Sequence, residues 1–173
     1  MAEKYFQDLF TTTNPSNMDN VLNVVDRVVT PDMNHMLLQP YTLDEVRSTL
    51  FQMHPSKSSG PDGMSPFFFQ KYWNFVGPNV IEVVLSVLHS GHYLQKMKFT
   101  HIVLIPKKKE KKAQYMSDYR PINLENVVFR IVSKVIANWL KIILPNVISD
   151  AQSAFVPNRL ITNNITVVFE VLH

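Results

Sequence analysis

Thr100-His101-Ile102-Val103-Leu104-Ile105-Pro106, then Lys107-Lys108-Lys109-Glu110-Lys111-Lys112, then Tyr119-Arg120-Pro121-Ile122-Asn123-Leu124 is the stretch on which the fold turns. The first segment is β-branched and apolar and stops at a proline, which predicts a strand. The lysine run predicts a solvated turn. The third segment can pair back on the first, so the three predict an antiparallel hairpin with a long basic tip. From Glu125 to Leu144 the period changes. Val128, Ile131, Val132, Val135, Ile136, Trp139, Leu140 and Ile143 recur at helical spacing, and Pro145 follows.

Upstream of the hairpin every pattern is helical. Thr42 and Glu45 have capping-box spacing ahead of Leu43, Val46, Leu50 and Met53, and Pro55 closes that helix. Lys57-Ser58-Ser59-Gly60-Pro61-Asp62-Gly63 is a loop in which proline presets φ and Gly63 takes a positive one. Ser65-Pro66 reads as an N-cap with proline at the first helical position. The helix it starts carries Phe68, Phe69, Tyr72, Trp73 and Val76. Gly77-Pro78 is expected to interrupt, and a further helix to run from Asn79 to Ser90, with Gly91 as its stop. Residues 1–40 form a leader: an apolar face of Tyr5, Phe6, Leu9 and Phe10, then a helix from Val21 to Val29 ended by Thr30-Pro31. Residues 41–173 form the main domain, which turns irregular from Gln152 to Arg159 and helical again from Ile161. The fold class is therefore α/β (α+β), mostly helical, with one small antiparallel β-hairpin.

Composition narrows the chemistry. The 173 residues include 11 prolines, 4 glycines and no cysteine, so disulfides and cysteine-based zinc sites are excluded. A reducing compartment, cytosol or nucleus, is compatible. No apolar run is long enough to cross a membrane, and the first residues lack a secretory pattern, which leaves Asn164-Ile165-Thr166 without support as a glycosylation site. Residues 1–56 carry 3 Lys/Arg against 7 Asp/Glu, whereas residues 57–173 carry 14 against 7. An acidic leader of net −4 thus precedes a basic body of net +7. That asymmetry points to a polyanion partner.

No GxSxG, Walker or HExxH pattern occurs, and no two aspartates are adjacent. His89 and His92 lack the further ligands a zinc site needs. Two features remain. The lysine run either attracts phosphates or keeps a turn solvated. Arg120 either offers its planar fork to phosphate oxygens or pairs with a surface acid.

Taken together, further segments carry a resemblance. They are Phe51-Gln52-Met53-His54-Pro55 into Lys57–Gly63, Phe68-Phe69-Gln70-Lys71 with Trp73, Ser90-Gly91, Thr100–Lys107, Asp118–Leu124, Ser133–Asn138, and Gln152-Ser153-Ala154-Phe155-Val156-Pro157 with Arg159. In this order and spacing the chain resembles the reverse transcriptase of plant LINE-type (non-LTR) retrotransposons, over residues 51–173. The resemblance implies the fingers and the start of the palm of a right-hand polymerase. It implies that Arg120 contacts the incoming triphosphate, with Lys107 assisting. It also implies that Lys57, Lys108, Lys109, Lys111, Lys112, Gln152 and Arg159 approach an RNA or DNA template, weakly and in a salt-dependent way.

In that family two magnesium ions are held by palm aspartates, and neither aspartate motif is in this sequence. The expectation is thus a fragment with no catalytic residue, no metal site and no cofactor of its own, inactive alone. A residual nucleic-acid-binding module, or fingers that complement a palm in trans, are the alternatives. Three positions depart from the family pattern: Trp139 stands for Arg, Asn158 for Gly and Asn163 for Asp. Asn158 tolerates a positive φ where glycine is usual.

Overall fold

The computed structural model describes residues 2–12, 16, 18–24, 26–92, 97, 99–107, 115–149, 152, 156, 158–160 and 162. Lys108, Lys109, Lys111 and Lys112 lie outside these residues, as does all but Thr162 of the helix predicted from Ile161 onward. Among the described residues the order is α1 (Ala2–Phe10), α2 (Met18–Leu22), α3 (Pro31–Leu37), α4 (Leu43–Phe51), α5 (Pro66–Lys71), α6 (Trp73–Ser90), β1 (His101–Pro106), β2 (Tyr119–Leu124) and α7 (Val127–Val147). The chain is, among the described residues, mostly helical with one two-stranded antiparallel sheet, as its patterning predicts.

The core is helical. Val46 and Leu50 of α4, Phe69 of α5, Val80, Val84 and Val87 of α6, and Val127, Ile131, Val132, Val135 and Trp139 of α7 bury one another. α4 is started by the capping box its sequence announces. The Glu45 amide donates to Thr42 Oγ1 at 3.3 Å, and the Thr42 amide donates to Glu45 Oε2 at 2.7 Å. Two of the otherwise unpaired first-turn amides are thereby satisfied. The helix already ends at Phe51, short of Pro55. Gly91 closes α6 in the left-handed region at φ 69°.

Three local expectations need correction. Thr30-Pro31 begins a helix and does not end one, and the helix expected before it is only the short α2, already finished at Leu22. The Thr30 hydroxyl accepts from the Met33 amide at 3.2 Å, and proline occupies the first turn of α3, where its missing N–H is no loss. Gly77-Pro78 does not interrupt either: α6 runs unbroken for 18 residues, and the break falls at Tyr72. Burial explains why. A Cβ on Gly77 would lie 2.9 Å from the Trp73 indole, so the bare glycine seats that ring one turn away while α6 packs its valines into the core. Finally, α7 starts at Val127 and passes through Pro145 to Val147.

Candidate nucleic-acid interface

The hairpin has a register of Ile105 opposite Arg120, Leu104 opposite Pro121 and Pro106 opposite Tyr119. The Lys107 amide donates to the Asp118 carbonyl at 2.8 Å. Bonded pairs alternate along an antiparallel ladder, so Ile105 and Arg120 form a bonded pair, and both prolines fall in non-bonded pairs. Each proline nitrogen therefore faces an outer edge of the ribbon, where no donor is needed and where it discourages strand addition. This explains how proline fits beside Arg120 in a strand. It also fixes the Arg120 backbone.

Side chains alternate in direction, so Arg120 shares a face with Val103, Ile105 and Ile122, and Lys107 continues that face diagonally across from it. Arg120 and Lys107 are both exposed, and the Arg120 side chain makes no hydrogen bond or ion pair with another described residue. The structure thus brings the two residues to the closed end of the hairpin. The return segment is braced as well: the Asp118 carboxylate accepts from the Tyr115 amide at 3.0 Å. The opposite face, with Ile102 and Leu104, is lined by Phe6 and Phe10 of α1 around a cavity of about 510 Å³. The Arg120 face is thus turned away from α1.

The Lys57–Gly63 loop is held against the start of α7. The Gly63 amide donates to the Gly60 carbonyl at 3.0 Å, with Gly63 at φ 73°. Asn126 Oδ1 accepts from the Asp62 amide at 3.4 Å, and Arg130 Nη2 donates to the Ser58 carbonyl at 2.6 Å. A Cβ on Gly60 would lie 2.6 Å from the Asn126 backbone, so glycine is required for this approach. Lys57 sits exposed at the loop's entry, its amide bonded to the His54 carbonyl.

Farther on, Asn158 has a φ of 64°, the conformation for which asparagine is a tolerable substitute for glycine. Arg159 is half-buried, and its Nη1 donates to the carbonyls of Ser149 and Gln152. Its guanidinium therefore shapes the loop on which Gln152 is exposed.

Patterning passes over another basic group. Lys134 of α7 is held below the usual lysine range, first by partial burial and then by the positive charges of Lys141 and Lys57. At 100° per residue Arg130, Lys134 and Lys141 fall within an arc of about 40°. That spacing is visible in the sequence, but the presence of Lys57 beside it depends on the Arg130–Ser58 tie. Also unforeseen is the role of Trp139. Its Nε1 donates to Glu45 Oε1 at 2.6 Å, and its ring lies 4.5 Å from that of Tyr41. The capping carboxylate of α4 thus also anchors α7, and the indole keeps a donor where the resemblance has arginine. One step along α7, Asn138 Nδ2 reaches Thr49 Oγ1 at 3.3 Å and Gln52 Oε1 at 3.2 Å.

Among the described residues no group of three or more His, Asp or Glu side chains stands close enough to hold a metal ion, and no helix is long and apolar enough to cross a membrane. No protein-family model matches the chain. Over 174 aligned residues it is 32% identical to the uncharacterized 149 kDa protein of transposon TX1 from Xenopus laevis. The match covers 99% of this chain but 13% of that protein's length. The chain is thus similar to part of a transposon protein and spans about an eighth of that relative's length.

Proposed function

We propose that the chain is the fingers portion, with the lead-in to the palm, of a non-LTR retroelement reverse transcriptase. On this reading it grips a nucleotide and a template and contributes no metal chemistry of its own. The observation that carries it is the hairpin register, which sets Arg120 and Lys107 on one solvent-facing surface. A planar guanidinium and an ammonium there supply fixed positive charge to a triphosphate, the kind of preorganised clamp that phosphoryl transfer requires. Lys108, Lys109, Lys111 and Lys112, which follow Lys107 in sequence, add positive charge that favours a template backbone. Arg159 shapes the loop that presents Gln152 to it, and Lys57 meets the strand at the entry of the fingers.

On this reading magnesium is not assigned to any described residue. Glu45, a half-buried carboxylate of the helical core, is committed to Thr42 and Trp139. No reaction step is therefore assigned to this chain, and purified alone it is expected not to extend a primer. The exposed apolar side chains of α7, Ile136, Leu140 and Ile142, favour a second reading in which the fingers dock on a palm supplied in trans.

Binding of a labelled single-stranded RNA across a salt series tests the grip. Log K should fall linearly with log salt. Replacing the five lysines of 107–112 by glutamine should flatten the slope by about 3.5, at about 0.7 for each phosphate no longer neutralised. An unchanged slope would remove the hairpin from the interface.

A further inference from the structure

The Lys57–Gly63 loop and helix α7 are 64 to 72 residues apart in sequence where they touch, yet two side chains at the start of α7, Asn126 and Arg130, bind the loop backbone. The consequence is a row of cations. Arg130 holds Ser58 at one end; Lys57 projects beside it; Lys134 and Lys141 continue along the same arc of α7. The last two are separated by about 10 Å of helix rise. At 100° per residue the row flanks the buried stripe of α7, about 80° from Ile131 and 120° from Val135, with Lys57 and Lys141 exposed and Lys134 half-buried. After partial burial, the charges that lower the Lys134 pKa are those of Lys141 and Lys57, both of its own sign. Like charges at such distances repel, so this grouping destabilises the free protein slightly and is relieved by an anion.

We propose that Lys57, Lys134 and Lys141 form a second phosphodiester-binding track along α7, separate from the hairpin, that holds the backbone of a nucleic-acid strand. This inference rests on the chain being a nucleic-acid-binding protein, but on different residues from those of the hairpin. An extended polyanion suits the row better than a single phosphate, because the amines are spread along a helix and do not converge on one point. Lys57 supplies a third charge from a different element, which sets the course of the strand across the loop as well as along α7. Asn138, next to the row, is already bonded to Thr49 and Gln52, so it stiffens the α4–α7 junction behind the track.

The test is a triple variant, Lys57→Gln, Lys134→Gln and Lys141→Gln, compared with wild type and with the hairpin variant for binding single-stranded RNA and single-stranded DNA of one sequence. The α7 variant should lower the salt slope by about 2, again at about 0.7 per phosphate, while its melting temperature stays equal to or above that of wild type. If the hairpin variant flattens the slope and the α7 variant does not, the track is refuted and the hairpin grip stands. If only the α7 variant flattens it, the track stands and the hairpin grip fails. Absence of binding by the wild type refutes both. RNA and DNA arms that respond alike assign recognition to the phosphates, and a slope that changes for RNA alone assigns the track to ribose-bearing strands. Equal retention of wild type and α7 variant on RNA, with loss of the variant only from phosphatidylserine vesicles, would overturn the nucleic-acid assignment in favour of a membrane surface.

Discussion

Replacing Gly60 by alanine probes the junction on which the candidate interface is built. The added Cβ would stand 2.5 Å from Asn126 Oδ1 and 2.6 Å from both its Cα and its nitrogen. Two of those three atoms are backbone at the start of α7, whose next residue, Val127, is fully buried, so the helix cannot retreat. The loop must move instead. Forced overpacking of this kind is worth about 1–3 kcal/mol, and a loop that escapes it gives up the Arg130–Ser58 bond, a charged hydrogen bond worth about 1.5–3 kcal/mol. Either route predicts a loss of about 1–3 kcal/mol, equivalent to a melting temperature lower by about 2–12 °C for a domain of this size. Urea denaturation followed by far-UV circular dichroism measures it as a lower midpoint at constant m. Gly63→Ala is the control. Nothing lies within 4 Å of its Cβ, and only the φ of +73° opposes alanine, at about 1–2 kcal/mol. If Gly60→Ala is as stable as wild type, or more stable than Gly63→Ala, the loop does not pack on α7 as described.

Other perturbations isolate single interactions. Trp139→Phe removes the donor to Glu45 while keeping most of the ring, and thermal melting should register a loss of about 1.5–3 kcal/mol. Thr42→Ala should cost about 1 kcal/mol through loss of the cap, and Glu45→Ala more, because that carboxylate serves both Thr42 and Trp139. Lys134→Gln should be neutral to stabilising at pH 7. The folded state holds the Lys134 proton less tightly than the unfolded state does, so wild-type stability gains from this group as pH rises through its lowered pKa toward 10.5. The advantage of the variant should shrink over that window. Melting curves at pH 7 and pH 10 that show no such convergence would argue against crowding of the three lysines. Because Ile136, Leu140 and Ile142 are exposed on α7, sedimentation velocity should reveal concentration-dependent association, which Ile142→Lys should weaken.

Much of this architecture is legible in the residues themselves, where local rules and tertiary packing agree. The Thr42–Glu45 box, the Gly91 stop and the strands on either side of the lysines all follow from a few adjacent residues, whereas the positive φ of Asn158 is anticipated only through the glycine that the resemblance has there. Proline is the misleading signal. Thr30-Pro31 reads equally well as a stop or a start, and only the path of the chain decides. Gly77-Pro78 looks like a break, yet burial of the α6 valines and the seat for Trp73 outweigh one missing backbone hydrogen bond. The Gly60–Asn126–Arg130 junction is beyond the reach of sequence patterning because its partners are far apart in the chain. The same holds for Lys57 beside Lys134 and for the indole of Trp139 on Glu45. Legibility of the site follows the same division. Arg120 and Lys107 are close in the hairpin and can be read together, whereas the cations of α7 become a site only once the loop is folded onto it.

The claim that a nucleic-acid strand lies along the basic hairpin is tested most directly by photo-crosslinking. A single-stranded RNA carrying 4-thiouridine would be irradiated with the protein and the adducts mapped by mass spectrometry. Adducts between residues 101 and 124, with any others along the α7 track near Lys57, Lys134 and Lys141, are the predicted result. Adducts confined to residues 1–40, or none above a poly-anionic competitor control, would contradict it.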